Sequence, residues 1–132
     1  MSTSVPTPIP KLRAPVTGEP VRVSACHCLD CKKRSGSAFA VQAGWPADQV
    51  TVEGQSKTWL HFGDSGNRIA HHFCPECGSS LHYVIEDKFD GLVAIPLGAF
   101  EDPYFVSPKF SVWEERKNDW VEIVGEDVEH SH

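Results

Sequence analysis

The sequence predicts a mainly β fold, built from short antiparallel sheets with little helix. Three observations lead there. Apolar residues alternate with polar ones in short runs, as half-buried strands require. Turn-forming Gly, Asp, Asn, Ser and Pro separate those runs at close intervals. No segment sustains the 3.6-residue period of a long amphipathic helix.

Residues 1–17 read as an extended arm. Pro6, Pro8, Pro10 and Pro15 fall there and Pro20 follows, and each proline withholds a backbone donor from sheet pairing. From Val21 the texture changes: Val21, Val23 and Ala25 alternate with polar residues and predict a strand leading into Cys26. Leu29 to Ser35 predicts one or two helical turns, with Gly36 placed to end them. Phe39 to Trp45 predicts a buried strand stopped by Pro46. Further strands are expected over Gln49–Glu53, Lys57–Phe62, Arg68–Cys74, Ser80–Ile85, Leu92–Leu97, Lys109–Trp113 and Trp120–Val124. Gly54, the run from Gly63 to Asn67, Asp90-Gly91 and Asn118-Asp119 supply the turns. The organisation expected is the arm over 1–17, one domain over 18–125 and an acidic tail over 126–132.

A formal charge of −6 does not favour nucleic acid or an anionic membrane as a partner, and the one basic cluster, Lys32-Lys33-Arg34, is too short to change this. No apolar run has the length of a transmembrane helix, and Met1 to Pro10 lacks the apolar stretch of a signal peptide. The expected compartment is the cytoplasm, where thiols stay reduced.

The chemistry lies in the five cysteines, which form two tight clusters rather than the scattered pattern of a disulfide scaffold. Cys26 and Cys28 share a face if the chain is extended there, and a helical turn returns Cys31 towards Cys28. Three thiolates then meet at one point. Zinc is borderline-soft and suits them, and three protein ligands leave a fourth position for water or a thiol substrate. Cys74-Pro75-Glu76-Cys77-Gly78 has the form of a zinc knuckle that brings two ligands. The five cysteines divide in two ways. Either 26/28/31 form an open, catalytic site with 74/77 apart, or Cys28, Cys31, Cys74 and Cys77 close one structural site and leave Cys26 over.

Among the remaining candidates, His27 should point away from the metal, between two ligands. His72 and His82 stand near Cys74 as spare ligands, with an ordinary packed role favoured for both. Lys32, Lys33 and Arg34 follow the first cluster, placed either to lower thiol pKa values and grip carboxylates or to form a solvated helix face. Trp45, Trp59, Trp113 and Trp120 are expected mainly in the core. No general base stands out.

The run from Cys26 to Phe39, with Cys-His-Cys-Leu-Asp-Cys at its head, resembles the signature of the glutathione-dependent formaldehyde-activating enzymes, a domain also found in a vertebrate centromere protein (GFA/CENP-V). The likeness continues through His72 to Ser79, through Gly98 to Pro103 and at Val112-Trp113. It implies an Mss4-like zinc fold of small antiparallel sheets. It also implies a carbon–sulfur lyase reaction, the joining of glutathione to formaldehyde as S-hydroxymethylglutathione, with a small thiol and a small aldehyde as partners. By position, Cys26, Cys28 and Cys31 match the family's catalytic zinc ligands, and Cys74 and Cys77 match half of its structural site. The chain departs from the pattern at Lys11 to Val16, where the family carries a Cys-x-Cys pair and this sequence has no cysteine. One zinc is therefore expected, and the second site lacks two of its ligands. A B-type methionine sulfoxide reductase shares the paired Cys-x-x-Cys layout but needs a later cysteine, and none follows Cys77.

Overall fold

The computed structural model describes residues 2–3, 16–63, 66–85, 91–100 and 106–132. The proline-rich segment 4–15, the turn residues Asp64 and Ser65, Asp90 and the stretch Glu101 to Phe105 lie outside the described residues. The chain is mainly β, with a single α-helix among the described residues.

Strands β1 (Ser2–Thr3) and β2 (Val16–Thr17) pair with each other at the two ends of the arm. The other eight strands form one ladder. These are β3 (Arg22–Cys26), β4 (Ala40–Trp45), β5 (Lys57–Phe62), β6 (Arg68–Phe73), β7 (Ser80–Ile85), β8 (Val93–Pro96), β9 (Phe110–Val112) and β10 (Glu129–His130). Their order is β10-β9-β3-β4-β8-β7-β6-β5. The expected short antiparallel pairings are present from β3 to β5, but they continue through one sheet, and β9 lies parallel to both β3 and β10.

The helix α1 spans Leu29–Ser35, as the sequence predicts. Cys28 caps its start: the backbone there is extended and its Sγ accepts from the Cys31 N–H at 3.4 Å. Gly36 ends it in the left-handed region (φ 66°), which lets its N–H reach the Lys32 carbonyl at 2.9 Å.

Two expected strands are absent. Over Gln49–Glu53 the chain turns through a 3-10 segment at Ala47–Gln49, and Val50 N–H is taken by Ala47 O at 3.2 Å instead of by a neighbouring strand. Over Trp120–Val124 the alternation is real: Val121 and Ile123 are buried, while Trp120 and Val124 are exposed. The backbone is bonded locally, however, with Val121 N–H on Asn118 O and Val121 O accepting from Lys117 Nζ at 2.8 Å. Period-two burial therefore occurs there without a ladder.

The segment read as an acidic tail is part of the sheet. Glu129 N–H bonds Lys109 O and Ser131 N–H bonds Ser111 O, each at 2.9 Å, and Val128 packs on the core. The ladder thus continues past residue 125 to the last strand.

The two faces of the ladder differ. On one, Val23, Ala43, Trp45, Leu81, Val93 and Ile95 meet Phe100 and Cys74 in the main apolar core. A second cluster joins Ala25 to Val121 and Ile123. The other face presents Arg22, Ser24, Cys26, Gln42, His71 and Tyr83 to a cavity. In a flat sheet, β3 and β5 would stand about 24 Å apart, at roughly 4.8 Å per strand. Cys26 of β3 and His61 of β5 line the same 380 Å³ cavity, so the sheet curls round it.

Candidate metal centre and cavity

Cys26 ends β3, Cys28 caps α1 and Cys31 lies in its first turn. Extended backbone followed by a helical turn therefore carries three thiols to one point. Their sulfur atoms all lie within 4.8 Å of one another, and among the described residues no other group of three or more metal-ligating side chains is this close. Cys26 and Cys28 are buried and Cys31 is partly so. All three line the cavity.

The donor set fits a tetrahedral thiophilic ion. Zinc–thiolate bonds of about 2.3 Å place sulfurs roughly 3.8 Å apart, within the observed spread. The electrostatics agree. Cys28 is held well below the usual thiol range, first by hydrogen bonds from the Cys26 and Cys31 thiols and then by the backbone N–H groups of Cys31 and Asp30. Cys26 is pushed up by its hydrogen bonds to Cys28 and Cys31 and by burial. A cation at this point would hold the three sulfurs as thiolates.

Arg34, one helical turn after Cys31, donates from Nη2 to Cys31 Sγ at 3.6 Å and lies over the Tyr83 ring at 4.8 Å. Of the three basic residues after the cluster, only Arg34 lines the cavity. Lys32 instead ties α1 to the 116–118 loop through Arg116 O and Asn118 Oδ1. Lys33 lines a neighbouring groove with Lys57 and Trp59.

His27 turns away from the metal cluster, as expected. It is fully buried, with Nε2 2.9 Å from Ser111 Oγ and its ring tilted on Phe39. His72 and His82 stack on each other at 4.2 Å, and Thr58 Oγ1 lies 3.1 Å from His72 Nδ1. The tryptophans divide. Trp45 is core and donates to Gly18 O, Trp113 lines the cavity, and Trp59 and Trp120 are exposed. Trp113 holds φ 58°, uncommon for so bulky a residue, directly after β9 beside Cys26.

Cys74 and Cys77 stand apart from the first cluster. The knuckle forms as its sequence suggests: Gly78, at φ 77°, returns its N–H to Cys74 O at 2.8 Å. Cys74 is packed in the core, while Cys77 is exposed with its thiol donating to Ser79 Oγ at 3.1 Å. No third ligating side chain among the described residues joins this pair. The four-cysteine site of Cys28, Cys31, Cys74 and Cys77 is therefore not assembled. Lys11 to Pro15, where the family's missing pair would stand, lies outside the described residues.

Sequence reasoning missed His61 and His71. They line the cavity on β5 and β6, and their Nε2 atoms are 2.7 Å apart. Their only sequence signal was the alternation that puts Trp59, His61, His71 and Tyr83 on one face.

The family model for glutathione-dependent formaldehyde-activating enzyme matches residues 10–116. The chain belongs to this family. A crystal structure of a Rhodobacter sphaeroides protein shares the fold, with a TM-score of 0.58 at 17% identity. The match covers 77% of this chain and 93% of that one. No helix among the described residues is long and apolar enough to cross a membrane.

Proposed function

We propose that this member of the family is a zinc-dependent enzyme of carbon–sulfur lyase type that joins a glutathione-like thiol to a small aldehyde. The observation that carries this reading is the convergence of Cys26, Cys28 and Cys31 on the wall of an enclosing cavity rather than in a closed knuckle. Three protein donors leave one tetrahedral position, the mark of a catalytic rather than a structural site. When bound there, zinc supplies a Lewis-acid position that favours the thiolate form of an incoming thiol.

The chain's own residues do the rest. Arg34 offsets the negative charge of the cysteine cluster from 3.6 Å. Arg22 and Arg34 both line the cavity and match the carboxylates of a glutathione-like thiol. Ile69, Ile85, Leu92 and Val112 give apolar wall that excludes water from the reacting carbon. In the reaction the thiol sulfur bonds the carbonyl carbon, the carbonyl π bond opens, and the proton lost by sulfur ends on oxygen. The reverse step releases thiol and aldehyde.

In this reading one zinc is bound per chain, at Cys26, Cys28 and Cys31. Cys74 and Cys77 bring two thiols towards a second, closed site that needs two more ligands. Three free thiols persist as ligands in a reducing compartment, so we place the protein in the cytoplasm.

The test is the exchange of glutathione and formaldehyde with their adduct, followed by NMR and corrected for the spontaneous rate. The zinc-loaded protein should accelerate exchange, and Cys28→Ser should not. No excess over background sinks the substrate assignment.

A further inference from the structure

The sheet face that brings His61, His71 and Tyr83 to the cavity carries a row of rings in contact. Trp59 lies parallel to His61 at 4.0 Å, the near-parallel rings of His61 and His71 meet edge to edge with centroids 4.7 Å apart, and His71 packs against Tyr83 at 5.2 Å. Register explains the series: His71 faces Trp59 on β5 and Tyr83 on β7. Arg34 lies over the Tyr83 ring and reaches Cys31 Sγ. The series thus runs from the metal-binding cysteines to the exposed Trp59.

Within it, the 2.7 Å contact between the two Nε2 atoms is decisive. A neutral imidazole has one N–H and one bare nitrogen. For the Nε2 atoms to bond, one must carry hydrogen and the other must not. The two Nδ1 atoms are then opposite as well, one bare and one protonated. A proton accepted at the bare Nδ1 drives the central hydrogen across to the second ring, which releases its own Nδ1 proton. The pair ends neutral, with both tautomers exchanged.

We propose that His61 and His71 form a two-ring proton relay, which removes the thiol's proton and returns a proton to the carbonyl oxygen. The inference rests on the thiol–aldehyde reading above and supplies the acid–base partner which that reaction needs. Sulfur loses one proton and oxygen gains one, and the exchanged tautomers are restored before the next forward turnover by the reverse pass or by proton exchange with water. Burial, together with Arg34, His61 and His72, holds His71 neutral, so His71 does not keep the passing proton as an imidazolium.

The test uses the full-length zinc-loaded protein. With 15N-labelled histidine, long-range 1H–15N correlations at pH 8 should show one of the two rings protonated at Nδ1 and the other at Nε2. The same tautomer in both rings overturns the relay. His61→Gln and His71→Gln should each slow adduct exchange by about 100-fold, in the range of general acid–base catalysis. Zinc content should be unchanged, the pH profile altered, and the rate partly restored by added imidazole. His61 is only partly buried, so its variant guards against a folding defect in the buried His71 variant. The groups facing His71 are Arg34 from α1, His61 from β5 and Tyr83 from β7, while His72 acts from the opposite face of its own strand, and His71→Gln leaves all four in place. A His61→Gln protein with wild-type rate and zinc content overturns the relay while the enzymatic reading stands. A wild type no faster than the spontaneous reaction overturns both.

Discussion

The two cysteine clusters share a Cys-x-x-Cys element but occupy different environments. Cys28 and Cys31 gain a third partner, because β3 delivers Cys26 to the same point and the sheet face behind it curls into a cavity. Cys74 and Cys77 sit on one tight turn, with one thiol in the apolar core and the other in solvent. The same short spacing becomes a candidate reactive centre only where a third ligand and an enclosed volume are added. Spacing sets how far apart two thiols are, whereas burial and neighbours set what they can bind.

The largest expected effect separates the clusters directly. Cys26→Ser should abolish bound zinc after dialysis, read by elemental analysis, because a vacated position removes one of three anionic donors. Cys74→Ser should keep one zinc per chain while losing about 1–3 kcal/mol of stability, the usual cost of burying a hydroxyl without a partner. Loss of the same zinc from both variants breaks the comparison.

A second effect uses the buried histidines beside each cluster. Burial pushes His71 down to about 3 and His82 down to about 4, the latter with help from His72. Both values lie below the unfolded value of 6.5, so the unfolded chain binds more protons in between. Their contribution is complete above pH 6.5 and is lost as pH falls through the folded values. Urea midpoints should drop between pH 7.5 and 5, and the drop should shrink in His82→Gln. An equal drop in wild type and variant removes His82 from the account.

The smallest effect sharpens the contrast within the knuckle. Cys77→Ser should leave zinc content, exchange rate and unfolding midpoint unchanged, since the side chain is exposed and its Ser79 contact is available to a hydroxyl. A fall in zinc content would show that the second cluster reaches the metal after all.

Local features were legible in the sequence. The helix over Leu29–Ser35, its stop at Gly36, the strand over Ser80–Ile85 and the face shared by Cys26 and Cys28 all follow from interactions spanning a few residues. Trp120–Val124 shows the limit: its alternation correctly marks Val121 and Ile123 as buried, yet burial on one side does not require a hydrogen-bonded neighbour. The segment after residue 125 shows another, since its acidic composition hides a backbone that pairs with β9.

By itself, then, the sequence determined the β-rich class, the helix with its stop at Gly36 and the two cysteine clusters, because each depends on side-chain periodicity or short-range backbone geometry. Tertiary structure alone decided that β9 runs parallel to β3, that Arg34 rather than Lys32 or Lys33 faces the cavity, and that His61 meets His71. Those outcomes depend on strand order and sheet curvature. Both are set by the packing of residues distant in the chain, which no local pattern records.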